Sequence, residues 1–426
     1  MSTATAPAAG TMRSALRHRS FRRLLTGLAV SQAGDWLYNV ALLAFVYERT
    51  HSASWLAATT AARVLPLVLL GPVGGVVADR FDRRRIMIVS DLVRGVLMVA
   101  LAAVALTGLP VVLAPLLAGL ATAAAAPYPP SAAASTPRLV SDADLPGANA
   151  ARAVVGMGAV AAGPVVGSVL LLLGPPSAAF LVNAGTFAVS ALAVLSIPAG
   201  DAFRPGRGAA DRQSVLADVV VGARALRSHP AAVRLLGADI VCSVVYGMQT
   251  VLLLLLSRHL GLGAAGYGYV LAGLGIGGIL GTLAAGRAAA SARPGAVLTG
   301  TLLVLAVPTS LMAVTPWLPG LLVLAVVGGA GAGLVEVLCE TALQRDLDED
   351  VFARAYGIAL PASIAGIAAG SLVAAPLVAV VGLTGAVVAT GCLPAGYALF
   401  VALPRRVAGR HRAPRRVVGA AEPATV

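Results

Sequence analysis

The stretch GGVVADRFDRRR, residues 74–85, lies between two apolar runs, 54–78 and 86–107. Each run is long enough to cross a bilayer, since about 20 residues at a rise of about 1.5 Å span a hydrocarbon core of roughly 30 Å. A short charged turn between two such runs returns the chain into lipid. The arginines gathered there (Arg80, Arg83, Arg84 and Arg85) place the turn on the cytoplasmic side, where basic loops are retained.

Outward from this turn the same pattern repeats. Further runs occupy 24–47, 109–133, 149–173 and 176–197 before a polar connection, and 231–256, 264–286, 295–315, 318–343, 355–381 and 383–403 after it. The expectation is an all-α polytopic membrane protein of twelve transmembrane helices. Arginine recurs in the amino terminus, in every even-numbered loop and in the tail, whereas the odd loops hold only Arg49 and Arg258. Both termini are therefore expected in the cytoplasm, at a bacterial inner membrane. The first run follows a basic start but lacks a small-residue cleavage site, so it reads as a retained helix.

Composition points the same way. The 426 residues are 58% hydrophobic and 12% charged, with a mean hydropathy of +0.88, which makes lipid the main solvent. The net charge of +13 does not indicate nucleic acid, because the arginines are dispersed among short loops and not gathered on a soluble face with stacking aromatics. Cys242, Cys339 and Cys392 fall inside apolar runs, and the histidines fall in loops or tails. That excludes a disulfide framework and leaves no metal site or cofactor to expect. No Walker A pattern occurs, so ATP is not the direct energy source.

The connection 198–230 divides the chain into a cytoplasmic segment 1–23, a six-helix bundle 24–197, a linker, a second six-helix bundle 231–403 and a basic tail 404–426. Within the linker, Ser214 to Ser228 carries apolar residues at helical spacing, predicting an amphipathic surface helix. Two similar halves joined in this way follow the parallel-repeat plan of secondary transporters. An internal echo supports it: GGVVADR ending at Arg80 is answered by GTLAAGR ending at Arg287, and Asp35 and Asp239 lie at similar depths in helices 1 and 7.

Gly75, Asp79, Arg80, Arg83 and Arg84 form the pattern GxxxDRxxRR, which resembles the second-loop signature of the major facilitator superfamily, with Asp82 where glycine is commoner. A plain basic anchor explains the arginines but not Gly75 and Asp79 at fixed offsets. SFRRLLTGLAVSQAGDWLYNVAL at the start, DLPGANA before helix 5, AAFLVNAGTFAVSAL in helix 6 and TALQRDLDEDVFARAYGI after helix 10 are similar to the drug and siderophore exporter branch, which includes the enterobactin exporter and macrolide efflux proteins. The resemblance implies a secondary transporter that exports a hydrophobic or amphipathic small molecule in exchange for protons, as a monomer. It also implies that Asp79 meets the amino end of helix 11 near Ala355 in the outward-open state, with Asp91 and Arg94 supporting that lock. Gly163, Pro164 and Gly167 in AAGPVVGS resemble part of an exporter motif in helix 5, and are equally consistent with small-residue packing around a proline kink.

Ionisable groups at bilayer depth cost roughly 2.5–3.5 kcal/mol on insertion scales, so each needs a reason. Asp35 is about 18 Å into helix 1 and Arg63 about 14 Å down helix 2 from the other side, which would let them meet near the midplane. Such a pair is either a static clamp or a proton-coupling switch. Glu336 and Glu340, one turn apart on helix 10, either hold a proton, attract a cationic substrate or form an interfacial cluster with Arg345. Asp239 is a further coupling candidate. Gln32, Trp36, Tyr38, Asn39, Tyr246 and Gln249 are candidates to line a central cavity, or to act as packing and interfacial groups. Rival readings are an importer or lipid transporter of the same superfamily, a membrane-embedded enzyme, and a sensor that has lost transport. The enzyme reading lacks carboxylate or histidine clusters in sizeable loops.

Overall fold

The computed structural model describes residues 11–204, 230–289, 294–346 and 349–402, and these are almost entirely helical. A short turn of helix, Met12–Ala15, precedes α1 (Arg19–Thr50), α2 (Ala53–Arg80) and α3 (Arg83–Thr107). α4 is in two pieces, Leu113–Ala125 and Tyr128–Ser135, followed by α5 (Leu145–Leu173) and α6 (Pro176–Leu195). The second half holds α7 (Pro230–His259), α8 (Gly263–Ala289), α9 (Pro294–Leu311) and α10 (Leu318–Asp346). Glu349–Ala402 then breaks at Gly382, whose φ of 73° and ψ of 172° are not helical, into α11 (349–381) and α12 (383–402). The linker with its expected amphipathic helix, and the tail, lie outside the described residues.

Among the described residues nine stretches are long and apolar enough to cross a membrane. One of them, Pro361–Ala402, contains the bend at Gly382. Two elements fail the criterion: α1 is made too polar by Ser31, Gln32, Asp35 and Asn39 in its middle, and α4 is too short in either piece. The unbroken helix expected over 109–133 is corrected here. Pro127 lacks the N–H to continue the ladder, and Pro129 and Pro130 restart a helix whose first turn tolerates them. Asp82 has a local role: its carboxylate accepts the Arg85 N–H at 2.8 Å and caps α3.

The halves repeat one packing scheme. α1 packs on α5 and α6, α3 on α6 and α2 on α4; correspondingly α7 packs on the α11–α12 element, α9 on α12 and α8 on α10. Small residues permit the closest of these approaches. A Cβ at Gly277 or Gly281 of α8 would overlap the carbonyls of Val326 and Ala330 in α10, and one at Gly329 would overlap that of Leu274. Between the halves, α5 packs on α8 and α2 on the α11–α12 element.

The cores reveal the shape. At the end remote from the linker, Leu42, Phe45, Leu56 and Leu101 of the first half share one buried cluster with Leu252, Tyr267, Leu271 and Leu321 of the second. At the linker end the halves keep separate clusters: Leu24, Met87, Tyr128 and Val194 in one, Ala238, Leu302, Val335 and Cys339 in the other. The far end is further pinned by Arg258 of α7 on Glu48 of α1 at 2.6 Å. Among the described residues the bundles are thus joined at the far face and parted at the linker face.

Candidate functional site

A cavity of about 460 Å³ occupies the parted region. Of the residues expected to face it, Trp36, Tyr246 and Gln249 do so, and the coupling candidates Asp239 and Glu336 line it as well. Trp36 reaches it from α1; the others come from α7 and α10. The Asp239 carboxylate accepts a hydrogen bond from Ser363 of α11, and Gln249 donates to Thr309 at 3.2 Å. Glu340 and Arg345 lie outside the residues whose side chains are described. Ser363, Cys242 and Cys339 also line the cavity, and sequence reading singled out none of them for it. A serine two residues after Pro361 is indistinguishable in sequence from ordinary helix filler.

Gln32, Tyr38 and Asn39 do not line the cavity. Gln32 has a buried Oε1 near Gly156, without a partner among the described residues. Tyr38 and Asn39 are buried because they hold Arg63: Nε donates to the Tyr38 hydroxyl at 3.0 Å, and Nη1 donates to Asn39 Oδ1. The expected contact of Asp35 with Arg63 is therefore corrected. Asp35 takes Arg94 of α3 instead, at 2.5 Å.

Arg94 is also 3.6 Å from Asp91 and lies over the Phe187 ring at 3.9 Å. Asp91 is fully buried beside Ser190, whose hydroxyl is 3.2 Å from that of Tyr128. Asp91 and Arg94 thus sit in a buried cluster with Asp35, Phe187 and Ser190, away from the loop arginines at the helix end. Arg94 is about 16 Å along α3 from Arg83, at mid-membrane depth. Gly34 makes this cluster possible, because a Cβ there would overlap Asn183 and Thr186 and push α6 away from α1.

The loop motif is folded back on its own half. Arg83 donates to the Ala78 and Ala134 carbonyls at 3.2 and 3.3 Å, and Arg84 to the Val194 and Leu195 carbonyls at the end of α6. Cations bonded to terminal carbonyls also complement the helix dipole. Asp79 is 3.9 Å from Arg83. Arg80 is exposed, and a Cβ at Gly75 would meet only open space. The surroundings of Ala355 lie outside the described side chains.

In α5, Gly163 and Gly167 abut Trp36 and Leu37 of α1, while Ser168, Pro164 and Val160 face Gly268 and Gly275 of α8. Pro164 cannot donate to the Val160 carbonyl, and that freed oxygen faces Gly275 across the bundle interface. The helix 5 motif is therefore a close-packed seam between the halves, flanking the cavity.

Two similarly packed six-helix halves around a cavity between them are the plan of a major facilitator transporter. The model of the family described as transmembrane secretion effector matches residues 10–413, and the chain belongs to that family. It is 24% identical over 410 residues to the MFS-type transporter YfiS of Bacillus subtilis (strain 168), covering 91% of this chain and 94% of that one. It is 29% identical over 361 residues to the enterobactin exporter EntS of Shigella boydii serotype 4 (strain Sb227), covering 83% and 84%. In fold it is similar to the nucleoside transporter NupG, with a TM-score of 0.71 at 14% identity over 90% of this chain and 97% of that one. It is also similar to a bacterial homolog of the human lysosomal transporter Spinster, in an inward-facing and unoccupied conformation, with a TM-score of 0.66 at 15% identity over 90% and 97%.

Proposed function

We propose that the chain is a proton-coupled exporter of a hydrophobic or amphipathic small molecule, working as a monomer by alternating access in the cytoplasmic membrane with both termini inside. The observation that carries this reading is the contrast between one shared core at the far face and two separate cores around the cavity at the linker face. With the termini inside, the cavity is open to the cytoplasm, where an exporter loads. The export direction is supported by similarity to relatives named as exporters.

Coupling is assigned to Asp35 and Arg94. A carboxylate held by a guanidinium takes up a proton only when their contact changes. α1 carries Asp35 towards α3 and the adjacent Trp36 into the cavity, so one helix links cargo and ion pair. The test is transport into energised inverted membrane vesicles. Accumulation of cargo that collapses with a protonophore and is lost in Asp35→Asn is the expected result. Failure to accumulate any of a broad panel of amphipathic compounds refutes export.

A further inference from the structure

Arg63 lies about 15 Å into α2 from its far-face end, among hydrogen-bond donors that lack an anion of their own. Its Nε donates to the Tyr38 hydroxyl at 3.0 Å and its Nη1 to Asn39, which among the described residues leaves Nη2 free to donate. The guanidinium also stands 5.0 Å from the centroid of the Tyr38 ring. A cation at this depth ordinarily pairs with a carboxylate or with backbone carbonyls. The carboxylate that acts on Arg63, Asp35, is held by Arg94.

Two phenols of the second half complete the set. Tyr246 of α7 and Tyr267 of α8 interact electrostatically with Arg63 and with each other. Tyr267 is 0% exposed, and its hydroxyl has no hydrogen-bond partner among the described residues. A buried hydroxyl without a partner is uncommon in a folded protein and calls for a bound water or ion. The Tyr38 hydroxyl, which accepts from Arg63, likewise keeps its own hydrogen to give. A guanidinium and three hydroxyls that can all donate make the kind of surroundings an anion takes. Tyr246 lines the central cavity whereas Arg63 and Tyr267 do not, so an ion reaching them passes Tyr246 and sits behind the cavity wall, which favours a small ion over a cargo molecule.

We infer that Arg63, Tyr246 and Tyr267 bind a small inorganic anion, of the size and charge of chloride, between the two halves. Arg63 and Tyr38 belong to the first half and Tyr246 and Tyr267 to the second, and Tyr38 and Tyr267 are part of the core that the halves share at the far face. The anion is therefore held only while the halves are joined there, and it favours the state open at the linker face. That consequence rests on alternating access; the anion site itself does not.

The probe is chloride, exchanged for gluconate at constant ionic strength, on the full chain in mild micelles. Unfolding by a denaturing detergent is followed for the native protein, Tyr267→Phe, Arg63→Gln and Tyr397→Phe, the last removing a phenol that bonds the Arg234 carbonyl at the linker end. The native midpoint should rise saturably with chloride, as expected for a ligand that binds the folded state alone. Tyr267→Phe removes a hydroxyl that bonds no other described residue, so it should match the native protein in gluconate and need about tenfold more chloride for the same rise. Arg63→Gln should lose the rise and Tyr397→Phe should keep it. At the far face, chloride should slow thiol labelling of Ser52→Cys in a cysteine-free background, and adding Tyr267→Phe should remove the slowing. Equal midpoints in chloride and gluconate, or a chloride effect that survives in both Tyr267→Phe and Arg63→Gln, overturn the site. A chloride-dependent midpoint with unchanged labelling keeps the site and overturns its link to the far face.

Discussion

Replacing Arg94 with methionine removes the one guanidinium that serves two carboxylates. Its side chain is 8% exposed, that of Asp35 is 34% exposed and that of Asp91 0%. Removing one partner of a buried ion pair typically costs about 3–5 kcal/mol, because the other charge is left uncompensated. Here the partial exposure of Asp35 screens its share, so most of the penalty falls on Asp91. Apart from Arg94, Asp91 has the neutral hydroxyl of Ser190 beside it, so among the described residues the loss of Arg94 leaves its charge uncompensated. The contact of Arg94 with Phe187 adds about 0.5–2 kcal/mol. Arg94→Met should therefore destabilise by about 4 kcal/mol. Asp91→Asn should cost about 1 kcal/mol or less, since Asp35 still pairs the guanidinium. The Arg94→Met, Asp91→Asn double variant should recover more than half of the Arg94→Met loss. The assay is unfolding of purified protein by titration of a denaturing detergent into mild micelles. An Arg94→Met variant no less stable than Asp91→Asn, or a double variant no better than Arg94→Met alone, refutes the shared-guanidinium account.

At the far face, Glu48→Gln removes the half-exposed ion pair with Arg258, worth about 0.2–1 kcal/mol, and should raise the outward-open population by up to about fivefold; thiol labelling of Ser52→Cys in a cysteine-free background reads the change. Gly329→Val drives a side chain into the Leu274 carbonyl and should cost about 1–3 kcal/mol, with loss of monodisperse protein on size exclusion, whereas Gly278→Ala, whose Cβ meets only an ordinary contact at 3.9 Å, should be near neutral. In the loop ahead of α5, hydrogen bonds from Ser14, His18 and Ser141 lower the Asp144 carboxyl to about 2. A lowered folded-state value means the clasp of Asp144 on His18, at 2.8 Å, contributes fully above the unfolded value near 4 and is lost as pH falls through about 2. Protease protection of the Met12–Ala15 segment should hold at pH 5 and above and fade towards pH 2, and Asp144→Asn should weaken it already at pH 7.

What could be read from sequence, and what could not, divides along a physical line. The succession of apolar runs and the GxxxDRxxRR turn were legible, and they identified the architecture. Rotation about the helix axis was not legible, because helices apolar on every side carry no amphipathic phase to orient them. Asp35 and Arg63 approach the midplane from opposite ends, yet Arg63 takes Tyr38 and Asn39, one turn further along α1, while Asp35 faces α3. The same blindness grouped Trp36, which faces the cavity, with Gln32, Tyr38 and Asn39, which do not line it. The small residues hold the missing phase. Gly34 marks the side of α1 that meets α6, and Gly163 and Gly167 mark the side of α5 that meets α1. With α6 and α5 fixed on α1 by those contacts, Asp35 is left to α3 and Trp36 to the cavity. A single helix therefore carries the ion pair and the cavity-facing indole on adjacent residues, and it can turn neither without turning the other.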